Sequence, residues 1–599
     1  MELSRSKSSR SSCGSGCSTS AGDAPGFDPD VALEVLMSYM DDPRDRDAVS
    51  LVCRKWYEVD ARTRKHITIA PCYSTSPDRL RRRFTCLESL KLKGKPRASM
   101  FNLIEEDWGG YAGPWIREIA GAFTCLKALH LRRMIVSDGD IAVLVAARGY
   151  MLLTLKLDKC SGFSTDGLLQ VARTCRCLKI LFLEESSIVE NDGNWLHELA
   201  VNNTVLENLN FYMTELNEIS VQDLVLIARN CRSLVSMKTS DCEISDLVEF
   251  FRAATLLDEF GGGSFLQVGE ENQNAVEMYA NLIFPPKLCR LGLTYMRANE
   301  MHLIYPSANV LKKLDLQYVF LNTEDHCQLI QRCPNLEVLE ARDVMGDRGL
   351  EVLSQSCRKL RHLRIERGED EQGLEDVEGM VSHLGLINLA RGCPDLEYLA
   401  VYVSDITNAA LETLGALSKN LTDFRLVLLD RQPYIADLPL DNGVRALLTG
   451  CDKLRRFALY LRQGGLTDVG LGYVGRYSNN IRWMLLGFVG QTDEGILRFS
   501  EGCPKLQKLE MRGCVFSERA IARAVLRMSS LRYIWVQGFH WQTGYQGLME
   551  MARPCWNIEV IPGMTADQPA HLIAYYSLAG QRTDYPPSVL PIHPPPPRP

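Results

Sequence analysis

Apolar anchors return along this chain every 23 to 28 residues for most of its length, and that period limits what the chain can fold into. Aligned on L-x-x-L-x-L cores, the anchors are Leu87, Leu126, Leu152, Leu178, Leu206, Leu234, Leu257, Leu288, Leu311, Leu336, Leu360, Leu396, Leu421, Leu454, Ile481, Leu506, Leu531 and Ile558. Between cores runs a second pattern, as in "GLLQVARTC", "GLEVLSQSC" and "GLINLARGC", whose apolar residues fall at helical spacing. Each unit is therefore predicted to be a short strand followed by a helix. Neither element buries its apolar face alone, so the units must stack.

The expected fold is α/β: a leucine-rich-repeat horseshoe of about 18 repeats, with a parallel sheet inside and helices outside. Four spacings exceed the period, after Leu87, Leu257, Leu360 and Leu421, and insertions in a solenoid emerge as loops, often on the binding face. The first contains "KLKGKPRASMFNL" (91–103), which sets cations beside Met100, Phe101 and Leu103. The others include an acidic run (368–383), read as a solvated excursion, and "DRQPYIADLPLDNG" (430–443).

Of 20 cysteines, eight (Cys175, Cys231, Cys333, Cys357, Cys393, Cys451, Cys503, Cys555) stand three residues before an anchor. Use once per repeat marks core filling rather than cross-linking, and a reducing compartment follows. Cys13 and Cys17 lack the second ligand pair that zinc needs.

Side chains alternate along a strand, so residues between the leucines should line the concave face. They include Lys91, Lys93, His130, Arg132, His362, Arg364, Tyr398, Tyr402, Arg425, Val427, Arg456, Tyr460, Trp483, Lys508, Arg512 and Trp535, with Arg97, Arg133 and Arg532 near in sequence. This face is basic and aromatic in a chain of formal charge −7, which argues against general nucleic-acid affinity. Cations about 7 Å apart repel by roughly 2 to 3 kcal/mol at an effective dielectric near 20, so an anion should occupy the groove. Arginine suits phosphate or carboxylate, and the aromatic residues supply flat walls.

The front differs. Residues 1–26 form a Ser/Gly-rich tail expected to be disordered. In residues 27–69, Leu33, Leu36 and Met37 share a helical face, Asp41-Asp42-Pro43 breaks the chain, and a second helix is expected to carry Val49, Leu51, Val52 and Trp56. The solenoid is expected over 70–562, a cap over 563–585 and a proline-rich disordered tail over 586–599. No run approaches the roughly 20 apolar residues of a membrane span. No Walker loop, G-x-S-x-G elbow or H-E-x-x-H motif supports catalysis.

The segment around "SLVCRKWY" resembles an F-box, which docks a Skp-family adaptor and thereby a cullin ubiquitin ligase. Leu33, Leu36, Met37, Leu51, Val52 and Trp56 would face the adaptor. With the repeats, "KLKGKPRASMFNL", "HLRRMIVSD", "LRIERGEDEQG", "VYVSDIT", "FRLVLLDR", "YLRQGGLTD", "WMLLGFVG", "LEMRGC" and "LAGQRTD" resemble the coronatine-insensitive family of plant jasmonate co-receptors. The resemblance implies a non-catalytic ubiquitin-ligase subunit acting in the nucleus, or in nucleus and cytoplasm, that recruits jasmonate ZIM-domain repressors. It places jasmonoyl-isoleucine among Arg97, Ala98, Phe101, Leu103, Arg364, Tyr402, Arg425, Val427, Tyr460, Arg512 and Trp535. An inositol polyphosphate, a pentakisphosphate by resemblance, would lie near Lys93, Met100, His130, Arg132, Arg133, Arg364, Arg425, Lys508 and Arg532. His362 stands where a second arginine is expected beside Arg364. The competing readings are an auxin-type F-box receptor and a repeat scaffold that binds protein without hormone.

Overall fold

The computed structural model describes residues 29–40, 42–96, 108–217, 219–265, 279–367, 379–429, 437–563, 565 and 567–593. Two compact units divide the chain between Arg64 and Lys65.

Among its described residues the first unit contains three helices, Pro29–Ser38, Pro43–Val49 and Arg54–Thr63, one more than the sequence pattern suggests. Leu51 and Val52 lie in the turn before the third helix, not on a helix of their own. Its interior holds Met37 and Val59 beside an ion pair between Arg46 and Asp60 (3.3 Å) whose side chains are almost sealed from water. Arg64 adds a second guanidinium to Asp60 at 3.0 Å, so the buried carboxylate is well compensated. Leu36, Leu51 and Val52 are exposed, whereas Met37 is 1% exposed. Met37 is thus core rather than adaptor surface, because so small a unit must close its interior with the few large apolar side chains it has.

Among its described residues the second unit is built on a sheet of 21 strands. The strand His66–Ile69, expected to end the helical segment, instead pairs in parallel with Ser89–Lys93 and opens the sheet. From there each of the first seventeen anchors leads into a strand parallel to the last, through Lys508–Arg512 to Tyr533–Gln537. The anchors are buried at 0 to 2% exposure, and strands such as Ser89–Lys93 and Asp423–Leu428 alternate strictly between buried and part-exposed side chains. Helices follow the second pattern: in Thr165–Thr174 the buried residues include Leu168, Val171 and Ala172, at the predicted spacing.

The eighteenth unit departs from the repeat. Trp556–Ile561 does not pair with Tyr533–Gln537; His571–Tyr576 inserts between them, antiparallel to both. Leu590–Ile592 then pairs with Trp556–Ile561, so this part of the proline-rich end is a strand and not a loose tail. Pro591 lies in this edge strand, a position where its missing N–H costs little.

Seven of the eight repeat cysteines are buried, and Cys555, in the irregular last unit, is exposed. The thiols of Cys231, Cys357, Cys393 and Cys451 point at backbone carbonyls of Asn203, Cys333, Cys357 and Ser418, the equivalent residues one repeat earlier. At these four steps a small weak donor satisfies that carbonyl while filling the core. Burial pushes the thiols of Cys175, Cys333, Cys393 and Cys503 up to about 12.

Helices pack closely where glycines face each other. A Cβ on Gly450 would overlap the Gly415 carbonyl, which is backbone and cannot swing aside. Gly450→Ala should therefore cost about 1 to 3 kcal/mol, seen as a lowered thermal midpoint, despite alanine's better helix propensity.

Candidate functional site

Strand register sets the concave side chains of the later repeats in three parallel rows. The lower row reads His362, Tyr398, Asp423, Arg456, Trp483, Lys508, Tyr533; the middle row reads Arg364, Ala400, Arg425, Ala458, Leu485, Glu510, Trp535; the upper row runs from Tyr402 through Val427, Tyr460 and Gly487 to Arg512 and Gln537. The early repeats continue the theme with Lys91, His130 and Lys156 in one row and Lys93, Arg132 and Asp158 in the next.

In the middle row, arginine alternates with alanine. Arg425 is flanked by the rings of Tyr398 and Trp483, each centred 5.5 Å from its guanidinium carbon. Its Nε is buried and has no hydrogen-bond partner among the described residues. Arg364 is ion-paired with Glu366, which raises its pKa against the opposing effect of burial. Arg512 donates through Nε to Gln537 Oε1 at 2.8 Å and lies over the Tyr460 and Trp535 rings at 6.0 and 5.6 Å. A Cβ at Gly487 would overlap the Tyr460 ring, so a glycine is what lets that tyrosine lie across its neighbour strand.

The two ends of the solenoid meet. Burial and then the nearby Lys508 push the Lys93 ammonium down to about 8, with Lys91, Arg132 and Arg133 acting in the same direction. Lys508 is likewise pushed down to about 8 by burial and by Arg133, with Glu510 only partly compensating. Burial and Arg132 also lower Lys91 and Arg133. Residues from the second strand of the sheet and from the penultimate parallel strand thus form one patch of positive charge, in which the combined effect of burial and neighbouring cations on Lys93 and Lys508 outweighs that of the acids among the described residues. Two members are better matched: Asp158 is hydrogen-bonded to His130 at 3.2 Å and ion-paired with Arg132 at 3.2 Å. A depressed lysine among other cations fits a multiply charged anion, which would favour the protonated form. The residues present therefore fit a polyphosphate.

Several expected members lie elsewhere. Arg97, Ala98, Met100, Phe101 and Leu103 fall outside the described residues. Trp535 is 1% exposed, so its ring backs Arg512 instead of presenting an open surface. Arg532 is exposed, donates to the Ser529 and Leu531 carbonyls and lies over the Tyr576 ring at 5.1 Å. His362 stacks on Tyr398 with ring centres 3.8 Å apart, and burial lowers its pKa, so it is a neutral plate at pH 7 and not the cation the resemblance would place there.

The sequence reading missed His571, which stacks on Trp535 (5.6 Å) and is pushed down to about 4 by burial and by Arg512. It lies outside the repeat, where periodicity says nothing. Tyr533, buried, shares the lower row with Lys508, and the spacing from Leu531 could have revealed it. Among the described residues no three His, Cys, Asp or Glu side chains gather to hold a metal.

Comparison with known proteins gives this geometry a family. An F-box model matches residues 26–66, and the Transport inhibitor response 1 protein domain matches residues 85–131. Coronatine-insensitive protein 1 of Arabidopsis thaliana is 62% identical over 572 residues, covering 94% of this chain and 96% of the relative. Coronatine-insensitive protein homolog 1b of Oryza sativa subsp. japonica is 59% identical over 579 residues, with the same coverages. GRR1-like protein 1 of Arabidopsis thaliana is 32% identical over 579 residues, 94% of this chain and 97% of that one. The chain belongs to the coronatine-insensitive family of F-box proteins.

Proposed function

We propose that this protein is the substrate-recognition subunit of a Skp-cullin-F-box ubiquitin ligase and acts in the nucleus as a jasmonoyl-isoleucine co-receptor for jasmonate ZIM-domain repressors. The observation that carries the reading is the cation arc: Arg425 between two aromatic rings, continuing through Arg512 to the Lys93–Lys508 patch.

The chain's own residues would act by position, not by chemistry. Arg97, Arg364 and Arg425 hold the hormone's carboxylate and carbonyl oxygens through charge-assisted bonds. For Arg364 this requires the ligand to displace or share Glu366, its partner in the free protein. Tyr402, Val427 and Tyr460 would form the upper wall, and the resemblance assigns Phe101, Leu103 and Ala98 to the ligand's apolar body. Lys93, Lys508 and Arg133, with Lys91 beside them, would hold an inositol polyphosphate, which supplies the negative charge that lets these cations stay protonated and close together. The repressor's degron peptide would cover the hormone, and ubiquitin transfer would be the work of the other subunits. Leu36, Leu51 and Val52, exposed on the first unit, would meet the adaptor.

The test is capture of a ZIM-domain degron peptide by the protein copurified with its adaptor. Capture should rise when jasmonoyl-isoleucine is added and stay at baseline with indole-3-acetic acid. Equal capture with no small molecule would point to a hormone-independent scaffold, and a response to the indole acid to an auxin-type receptor.

A further inference from the structure

Lys93 and Lys508 are 415 positions apart, yet they share one patch, so something must hold the two ends of the coil at a fixed separation. The repeat does not do this: an open horseshoe of stacked units is an elastic arc whose ends are joined only through every intervening contact. The structure contains a separate fastening. Tyr73, before the first repeat, donates its hydroxyl to Asp584 Oδ2 at 2.7 Å and accepts from the Gly110 amide at 2.8 Å. Arg582 lies 3.9 Å from the Trp108 ring centre and 5.0 Å from that of Tyr73, donates to the Asp584 carbonyl at 2.7 Å, and sits 3.6 Å from the buried Glu559. The Arg582 side chain is 1% exposed, and the rings it lies over, Trp108 and Tyr73, belong to or pack on an apolar cluster that includes Tyr575. Gly109 lies at φ +120°, and a Cβ there would press on both the Tyr73 hydroxyl and the guanidinium. A buried, bonded contact between the first repeats and a segment beyond the last anchor is costly to build and is not needed to end a solenoid.

We infer that Tyr73, Arg582 and Asp584 are positioning residues for the polyanion site: they clasp the front of the coil to its end and so set the distance across which Lys93 and Lys508 share one anion. The inference rests on the polyphosphate reading above. None of the three touches the anion; they act through ring closure. Linkage then requires the converse, that a bound polyanion makes the clasp harder to open.

The experiment measures binding of inositol hexakisphosphate, as a polyanion probe, to the full chain with its adaptor across a range of salt concentrations. Tyr73→Phe, which removes one hydroxyl and leaves the ring, and Asp584→Asn should each weaken binding about tenfold, a usual size for coupling between sites. Asp584→Glu should restore part of the loss. Because neither residue contacts the anion, the slope of log affinity against log salt should stay that of the unaltered protein, whereas Lys508→Met should make it shallower by removing an ionic contact. Hydrogen exchange at the Gly110 amide should slow when the probe is bound. Unchanged affinity in folded Tyr73→Phe and Asp584→Asn proteins, a shallower slope in either, or Gly110 exchange indifferent to the probe would overturn the clasp. If instead the unaltered chain does not bind the probe, or Lys508→Met binds it with the same affinity and slope, the polyphosphate reading itself fails.

Discussion

Arg425→Ala should abolish hormone-dependent capture of the degron peptide while leaving the protein folded and adaptor-bound. The side chain is part-exposed on a concave strand, so its removal leaves no core cavity. What disappears is a guanidinium held between the Tyr398 and Trp483 rings, with a buried Nε that finds no acceptor among the described residues. A hydrogen bond to a charged group contributes about 1.5 to 3 kcal/mol, or roughly 10- to 150-fold in affinity, and this arginine would make more than one. Arg425→Lys should recover little, because an ammonium neither stacks between two rings nor donates as a fork. The measurement is peptide capture against hormone concentration, with circular dichroism as the folding control. A Lys variant with full response would show that charge alone suffices and would remove the planar-clamp argument.

The second large effect is in pH. Lys93 and Lys508 titrate near 8 in the free protein, below the ordinary value of 10.5, and a polyanion must bind their protonated forms. Binding of inositol hexakisphosphate should therefore weaken as pH rises from 7 to 9, by about tenfold for each lysine, with proton uptake on binding near pH 8 detectable by calorimetry in buffers of different ionisation enthalpy. Folding stability should move the other way. A lysine whose folded pKa lies below its unfolded value disfavours the native state while both forms are protonated, and that cost is relieved as pH climbs from 8 toward 10.5. Comparison with Lys508→Met isolates one lysine's share of both trends. A flat affinity between pH 7 and 9 would show that these lysines do not face the anion.

Much of this molecule was legible because a repeat writes the same sentence many times. Seventeen anchors predicted seventeen consecutive parallel strands, and alternation alone placed Arg364, Arg425, Tyr460 and Lys508 on one face, since a period of two admits no other arrangement when the leucines are buried. Periodicity failed where the repeat ends. Ile558 carries the anchor pattern, but its strand is separated from its predecessor by His571–Tyr576, a segment with no repeat signature that turns back antiparallel between the two strands preceding it in the chain. His571 and the Arg582 fastening were invisible for that reason. Met37 was misplaced for another: helical spacing shows that Leu33, Leu36 and Met37 share a face but not which of them the rest of a small unit covers. Trp535 faced the right way, yet alternation carries no information about a ring stacked on it from outside the repeat.

The Arg364–Ala400–Arg425–Ala458 row also has a meaning for ligand size. Neighbouring parallel strands are about 4.8 Å apart, so placing the long side chains on alternate strands doubles the interval between guanidinium groups and leaves two methyl-floored slots between and beside them. Ala400 and Ala458 are 8% and 6% exposed, so each barely reaches the surface of its slot. Molecular selection here is then written partly in missing atoms: the width of guest the cleft admits is a ruler cut into the sheet by two alanines, and a single added branch at either would shorten it without moving any charged group.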